Sequence, residues 1–214
     1  MVTAPRTRFS VDERRAQLLE HGLRLFAEHA YDEVAIEDIA REAGVSKGLL
    51  YHYFGGKRAF YVACIENAAD QLFVRAQADP STPEPIRARA GIEAYFDYAE
   101  EHETAYVALM RSGIGSDPEV ASVVERTRSR IVDHMLESMG LEPSRPVFRA
   151  ASRSWIGQVE AACLHWLDHP EHVDRAVVVQ LLLGGIHGTL SMAKQLDPEA
   201  PFELDAPPRS SAAG

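Results

Sequence analysis

Between Ser46 and Lys57 the sequence reads SKGLLYHYFGGK. A surface helix ordinarily carries Glu and Lys on its outer face. Here that stretch instead offers an amine, a glycine, two phenols and an imidazole in eight residues. No nucleophile–base pair or carboxylate pair accompanies them, so the chemistry is recognition. Hydroxyls, imidazoles and ammonium groups at helical spacing are donors for phosphate oxygens, and the first residues of such a helix can reach base edges in a major groove. The alternative reading of the rings is packing: Tyr51, Tyr53 and Phe54 could all belong to a core, and Phe54 is expected there.

The elements that must position these residues are legible around them. In IEDIAREAGVSKGLLYHYF, from Ile36, two short helices meet at a tight turn. Ile39 and Ala40 face inward, Gly44 stands just past the first helix where a left-handed residue is needed, Val45 fills the angle, and Ser46 caps the second helix. A turn of this length containing glycine marks a helix-turn-helix. Upstream, Ser10 and Glu13 have capping-box spacing. Leu18, Leu19, Leu25 and Phe26, with Gly22 among them, give a 3.6-period face to about His29. The spacing predicts helices over 36–43, 46–54 and 57–77. After a proline-rich loop at 79–85 come helices over 86–101, 104–112, 118–138, 146–168 and 172–195. From Asp197 the chain holds four prolines and ends SSAAG, and that tail is expected to be disordered.

The stretch from about Phe26 to Phe60 resembles the DNA-binding head of the TetR family of transcriptional regulators. The resemblance rests on Ile39-Ala40, Ala43-Gly44-Val45-Ser46, Gly48, Leu50-Tyr51, Tyr53-Phe54 and Lys57. The order and length of the later helices extend it along the chain. It implies that Ser46, Lys47, Gly48, Tyr51, His52, Tyr53 and Lys57 form the DNA-binding surface. Lys47 and Gly48 would lie at the bases, and Tyr51, His52, Tyr53 and Lys57 at phosphates, with the amides opening the Lys57 helix assisting. Three positions depart from the family pattern. Ala35 replaces a capping Thr or Ser, which removes one phosphate contact and about 1 kcal/mol of capping. Ala30 replaces a glycine. Lys57-Arg58 replaces Lys-Glu, which is expected to add positive charge near the DNA.

The charge distribution fits that reading better than its sum. Of 22 Lys/Arg and 32 Asp/Glu, residues 1–60 hold nine of each, so the whole formal charge of −10 lies in residues 61–214. A neutral head can approach phosphate while an acidic body faces away. Cys64 and Cys163 are expected to be reduced, buried thiols of a cytoplasmic protein, a redox switch being the alternative. No run of about 18 apolar residues or signal peptide is read, so no membrane association is expected. No GxSxG, HExxH or phosphate-binding glycine loop occurs, so neither enzyme nor cofactor is expected.

The later helices carry no family-wide motif. Gly184 and Gly188 share a helix face and, with Gly157, would permit close helix approach. The family's dimer, built from its last two long helices, suggests homodimerisation here through about 146–195; packing of the same helices within one chain is the alternative. Two recognition helices would then lie about 34–36 Å apart on a near-palindromic site. Phe96, Tyr106, Met110, Ile131, Met135, Trp155, Val159 and Cys163 are candidates for an effector cavity, with Gln158, Glu160 and His134 as polar points. An apolar stripe of this kind is more often plain core than a ligand site. His165 and His169 stand four apart, a zinc-competent spacing, but a helix end next to Pro170 favours histidine anyway, and no metal is expected.

The sequence therefore predicts an all-α chain. A flexible arm (1–9) leads into a three-helix DNA-binding head (10–56). A ligand-binding and dimerisation body follows (57–196, with 57–78 the connecting helix), and a tail closes the chain (197–214). The expected activity is that of a homodimeric repressor of double-stranded operator DNA, released by a small, largely apolar effector. The alternatives are a regulator of the same fold without such an effector, and an enzyme or carrier that merely shares an all-α fold.

Overall fold

A computed structural model describes residues 11–29, 31–77, 84–113 and 117–203. The expected arm, Ser10, Ala30, residues 78–83 and 114–116, and the end of the tail from 204 lie outside them. The described residues form helices α1 (Val11–Glu28), α2 (Ile36–Glu42), α3 (Lys47–Phe54), α4 (Lys57–Ala76), α5 (Glu84–Glu101), α6 (Glu103–Ala108), α7 (Pro118–Ser138), α8 (Pro146–Asp168) and α9 (Arg175–Leu196), with no strand among them. The expected helix at 104–112 is α6 followed by a π-helical turn, Leu109–Gly113.

These residues divide into two compact units. The first joins the chain up to Ala69 with Thr104–Val123, and the second joins Asp70–Glu103 with the chain from Val124. The sequence reading drew its boundary at residue 57; these units divide within α4, after Ala69, and a segment of the expected body packs with the head. The reason is packing. Leu109, Val120 and Val123 meet Leu23, Tyr61, Val62 and Ile65 in one apolar cluster, so the start of α7 is buried against α4 and α1. Both α4 and α7 begin in the first unit and end in the second.

In the first unit Leu18, Leu19, Ile39, Leu50 and Phe60 are almost wholly buried in one core. Gly22 is required there, because a Cβ on it would lie 2.4 Å from the Phe60 ring and 2.6 Å from the Cys64 sulfur. Burial pushes the Cys64 thiol well above its usual range, so it stays protonated.

The second unit packs α5, the rest of α7, α8 and α9. Phe148, Leu136, Val132, Ile156 and Leu190 form part of its core. Arg175, opening α9, is held by Asp97 at 2.6 Å and the Glu93 carbonyl at 2.7 Å, with its guanidinium over the rings of Phe96 and Trp166. The end of the chain differs from expectation. Residues 197–203 are not loose: Ala200 is buried, the Phe202 ring packs on Phe148 at 5.7 Å, and the Lys194 ammonium donates to the carbonyls of Pro198 and Ala200. Two apolar side chains and a cation within reach of the freed carbonyls outweigh the proline content that suggested disorder.

Candidate nucleic-acid interface

The turn between α2 and α3 is built as its sequence requires. Gly44 has φ +63°. The Val45 N–H donates to the Ala40 carbonyl at 2.9 Å and the Gly44 N–H to that of Arg41 at 3.2 Å, which closes α2 in a Schellman motif. Val45 packs on the head core. Ser46 is extended, and its Oγ accepts the Leu49 N–H at 3.2 Å, capping α3. Ala35 caps α2 without a side-chain hydrogen bond, as its methyl group dictates. At the far end of α3, Gly55 (φ +78°) turns the chain into α4.

This frame fixes which side chains of α3 are presented. Leu50 and Phe54 point into the core, while Ser46, Lys47, Gly48, Tyr51 and His52 are exposed. A Cβ on Gly48 would meet only the Ser46 hydroxyl, at 4.0 Å, so the backbone there is open to close approach. Tyr53, expected at a phosphate, is half-buried and packs on the head core, which limits it to an edge contact. Neither α3 nor α4 has an acidic residue in its first turn, so neither helix sets a carboxylate of its own against its amide end.

The two lysines are engaged within the head. The Lys47 ammonium hydrogen-bonds Glu37 of α2 and lies 5.7 Å from the Tyr51 ring centroid. That bond holds the Glu37 carboxyl below its usual range. Lys57 sits 4.4 Å above the Tyr31 ring, which stacks on Phe26 and meets Tyr61 at a tilt. Arg58 corrects the sequence reading. Its guanidinium does not add charge to the α3 surface; it chelates Asp117 (3.0 and 3.1 Å) and reaches Glu119 (2.7 Å). Asp117 in turn accepts the Glu119 N–H at 2.8 Å and so caps α7.

The second unit holds a cavity of about 140 Å³. Of the eight candidates, Ile131, Met135, Trp155 and Val159 line it. Phe96 and Cys163 are fully buried, Phe96 beneath Trp166, and neither is among its lining residues. Tyr106 and Met110 belong to the first unit, because residues 104–123 fold with the head. Of the polar candidates His134 lines the cavity, whereas Glu160 is held by two 2.8 Å hydrogen bonds from Arg128 and Gln158 lies against Gly185. Phe73, Arg87, Ile92, Tyr95, Ile186 and Leu190 also line it. Single-chain periodicity could not select them, since they come from three different helices.

Gly184 and Gly188 have no atom within 4 Å of where a Cβ would stand, and Gly157 has only the Arg153 side chain at 4.0 Å. Among the described residues their close-approach faces are therefore unused; Gly185 is the glycine that faces α8. Around them Leu181, Met192 and Leu196 are 66%, 54% and 68% exposed. The α9 helix is long and apolar enough to cross a membrane by length and composition. At the α8–α9 turn His169, Glu171 and His172 bring ligand atoms within 4.8 Å of one another, with the two imidazoles stacked and Glu171 and His172 exposed. His165 meets the edge of His169.

Residues 18–64 match the family model described as bacterial regulatory proteins of the tetR family, and residues 86–187 match the tetracyclin repressor-like C-terminal domain. The transcriptional activator FasR of Mycolicibacterium smegmatis is 32% identical over 185 residues, 82% of this chain and 84% of that protein. The chain belongs to the TetR family. The repressor KstR2 of Mycobacterium tuberculosis is 29% identical over 56% of the chain and 62% of its own length. A TetR-family regulator of known structure from Streptomyces coelicolor superimposes with a TM-score of 0.76 at 31% identity, over 89% of this chain and 86% of that one. This TetR-family chain is a DNA-binding transcriptional regulator.

Proposed function

We propose that the protein is a homodimeric, cytoplasmic repressor whose α3 helices read an operator and whose second unit takes a small, largely apolar effector that releases it. The observation that carries the reading is the Ser46-capped α3, with Lys47, Gly48, Tyr51 and His52 exposed on one face and no acid in its first turn. Lys47 and Gly48 contact bases, and Tyr51, His52 and Lys57 contact phosphates, with Tyr53 at the edge. Relatives include both an activator and a repressor; repression is the outcome when the occupied site overlaps a promoter.

The exposed apolar face of α9, with Gly184 and Gly188 at its middle, is assigned to a second copy of the chain. A pocket in the same region is lined by Pro146, Val147, Ala150, Ala151, Ser154, Gly188 and Met192. Small residues on α8 opposite glycines on α9 suit helices that pack closely across a two-fold axis, and this accounts for the apolarity of α9 without a membrane.

Binding of a selected operator, followed by fluorescence anisotropy, tests the interface. Lys47→Ala should weaken specific binding by about 1–3 kcal/mol, and Tyr51→Phe and Lys57→Ala should weaken binding to all sequences alike. Unchanged affinity in all three overturns the assignment. A second reading, regulation without a small-molecule effector, draws support from the cavity's 140 Å³, which is below the usual several-hundred-Å³ range of ligand pockets. Thermal-shift screening separates the two readings.

A further inference from the structure

The turn between α8 and α9 gathers side chains that ligate metals, and neither operator nor effector binding uses them. Helix α8 ends at Asp168, and the His169 N–H closes its last turn on the Trp166 carbonyl at 3.1 Å. Pro170 follows, and the His172 N–H donates to the His169 carbonyl at 3.0 Å. A proline at the second position of a four-residue turn presets its backbone, and this one brings His169 and His172 together. Their rings stack, with centroids 4.7 Å apart and planes 12° from parallel. Glu171 sets a carboxylate oxygen 3.3 Å from the His172 Nε2. One donor atom from each of the three residues lies within 4.8 Å of the other two. The spacing in the sequence singles out a different pair, His165 and His169, on the geometry of a continuous helix. His169 has left the helix, with φ −142° and ψ 55°. His165 therefore meets only the edge of its ring and stands outside the three-residue group.

We propose that His169, Glu171 and His172 form a binding site for a divalent transition ion of the zinc type, with its remaining coordination positions open to water. Two imidazole nitrogens and a carboxylate oxygen are donors such ions take, whereas Mg²⁺ and Ca²⁺ favour oxygen throughout. With bonds of about 2.0–2.2 Å, the donors around a tetrahedral ion stand about 3.3–3.5 Å apart. The donors here start within 4.8 Å, a gap that rotation of the exposed Glu171 and His172 side chains can close. The turn itself is held by two packed helices, with Cys163 and Trp166 buried in α8 and Val178 and Val179 in α9. Little chain entropy is therefore left to lose when an ion binds. The local charge also favours a cation. Residues 165–174 include Asp168, Glu171 and Asp174 and no Lys or Arg. Arg175, the next residue, is drawn to α5 by Asp97 at 2.6 Å and Glu100 at 3.4 Å. A helix end favours histidine by itself. That accounts for His165 and His169, but not for Glu171 and His172, which lie beyond the helix.

Titration of the full chain with Zn²⁺ against a chromophoric chelator tests this. The parent should bind Zn²⁺ with micromolar or tighter Kd, and excess Mg²⁺ should not displace it. Loss of a partner that merely orients a ligand already costs about 10–100-fold in metal affinity. Loss of a ligand should cost no less, so His172→Ala and Glu171→Gln should each weaken Zn²⁺ binding by about tenfold or more. Both side chains are exposed, so the variants should keep the parent's helicity by circular dichroism. Zn²⁺ should raise the melting temperature of the parent, because an ion held by the folded turn stabilises it, and should not raise that of His172→Ala. Co²⁺ gives a readout at the site itself: its visible spectrum with the parent should change in His172→Ala. An absence of submillimolar Zn²⁺ binding, displacement by Mg²⁺, or affinity unchanged in either folded variant overturns the site.

Discussion

At the scale of single residues, the DNA-facing lysine is already occupied. Lys47 hydrogen-bonds Glu37 and lies over Tyr51, so contact with DNA has to replace the carboxylate partner. Exposed ion pairs are worth at most about 1 kcal/mol, which makes the exchange cheap, but the carboxylate left behind repels phosphate. Glu37→Gln should therefore tighten operator binding severalfold at low salt, with the gain shrinking as salt is raised. An anisotropy titration showing equal or weaker binding would remove Lys47 from the interface. Much at this scale was legible in the sequence. Gly44, Val45 and Ser46 occupy the places their conformational needs dictate, because capping and left-handed turns are local. The role of Arg58 was not legible, because its partner Asp117 lies 59 residues away and nothing near Arg58 announces it.

At the scale of elements, local signals set the helix ends, while packing decided what each helix touches. Gly22 looked like one more small residue on an apolar face; its function appears only when α4 lies against it. Gly22→Ala should gain up to about 1 kcal/mol in helix propensity but lose more, about 1–3 kcal/mol, by overpacking against Phe60 and Cys64. Denaturant unfolding should therefore show a net loss, and a stabilised variant would contradict the packing of α1 on α4. The clasp from α4 to α7 has a pH signature. The Asp117 carboxyl is held below the usual aspartate range, first by hydrogen bonds from Arg58 and then by the amides of α7. A group depressed in the folded state contributes stability above its unfolded pKa and loses it as the pH falls through the folded value. Arg58→Gln should thus melt below the parent at neutral pH, and the gap should close on acidification. A gap that persists in acid would show that the clasp acts through packing alone. The cavity was only half legible for a related reason. A helix face can be read from period, but the convergence of α4, α5, α7, α8 and α9 on one space cannot, nor can the folding of Tyr106 and Met110 with the first unit.

At the scale of the whole molecule, affinity for an operator depends on joining two heads. A single α3 reads only a few base pairs, and two heads held on one particle make the second contact intramolecular, worth 10²–10⁴ in apparent affinity without any new contact. The proposed joint is the face of α9 bearing Leu181, Gly184, Gly188 and Met192, which is exposed and, among the described residues of one chain, without a neighbour at its glycines. A bulky charge there should do little to the protomer, because Gly188 has open space where a Cβ would stand. Gly188→Glu is therefore expected to keep the parent's helicity, sediment as a monomer at micromolar concentration, and lose at least a hundredfold in operator affinity. Its weak binding to random DNA, which one head can supply, should persist. Because the variant carries an intact α3, the lost affinity measures the coupling between heads and not damage to the interface. A folded variant that remains dimeric would move the dimer face elsewhere. A monomer that binds its operator as tightly as the parent would mean that one head suffices.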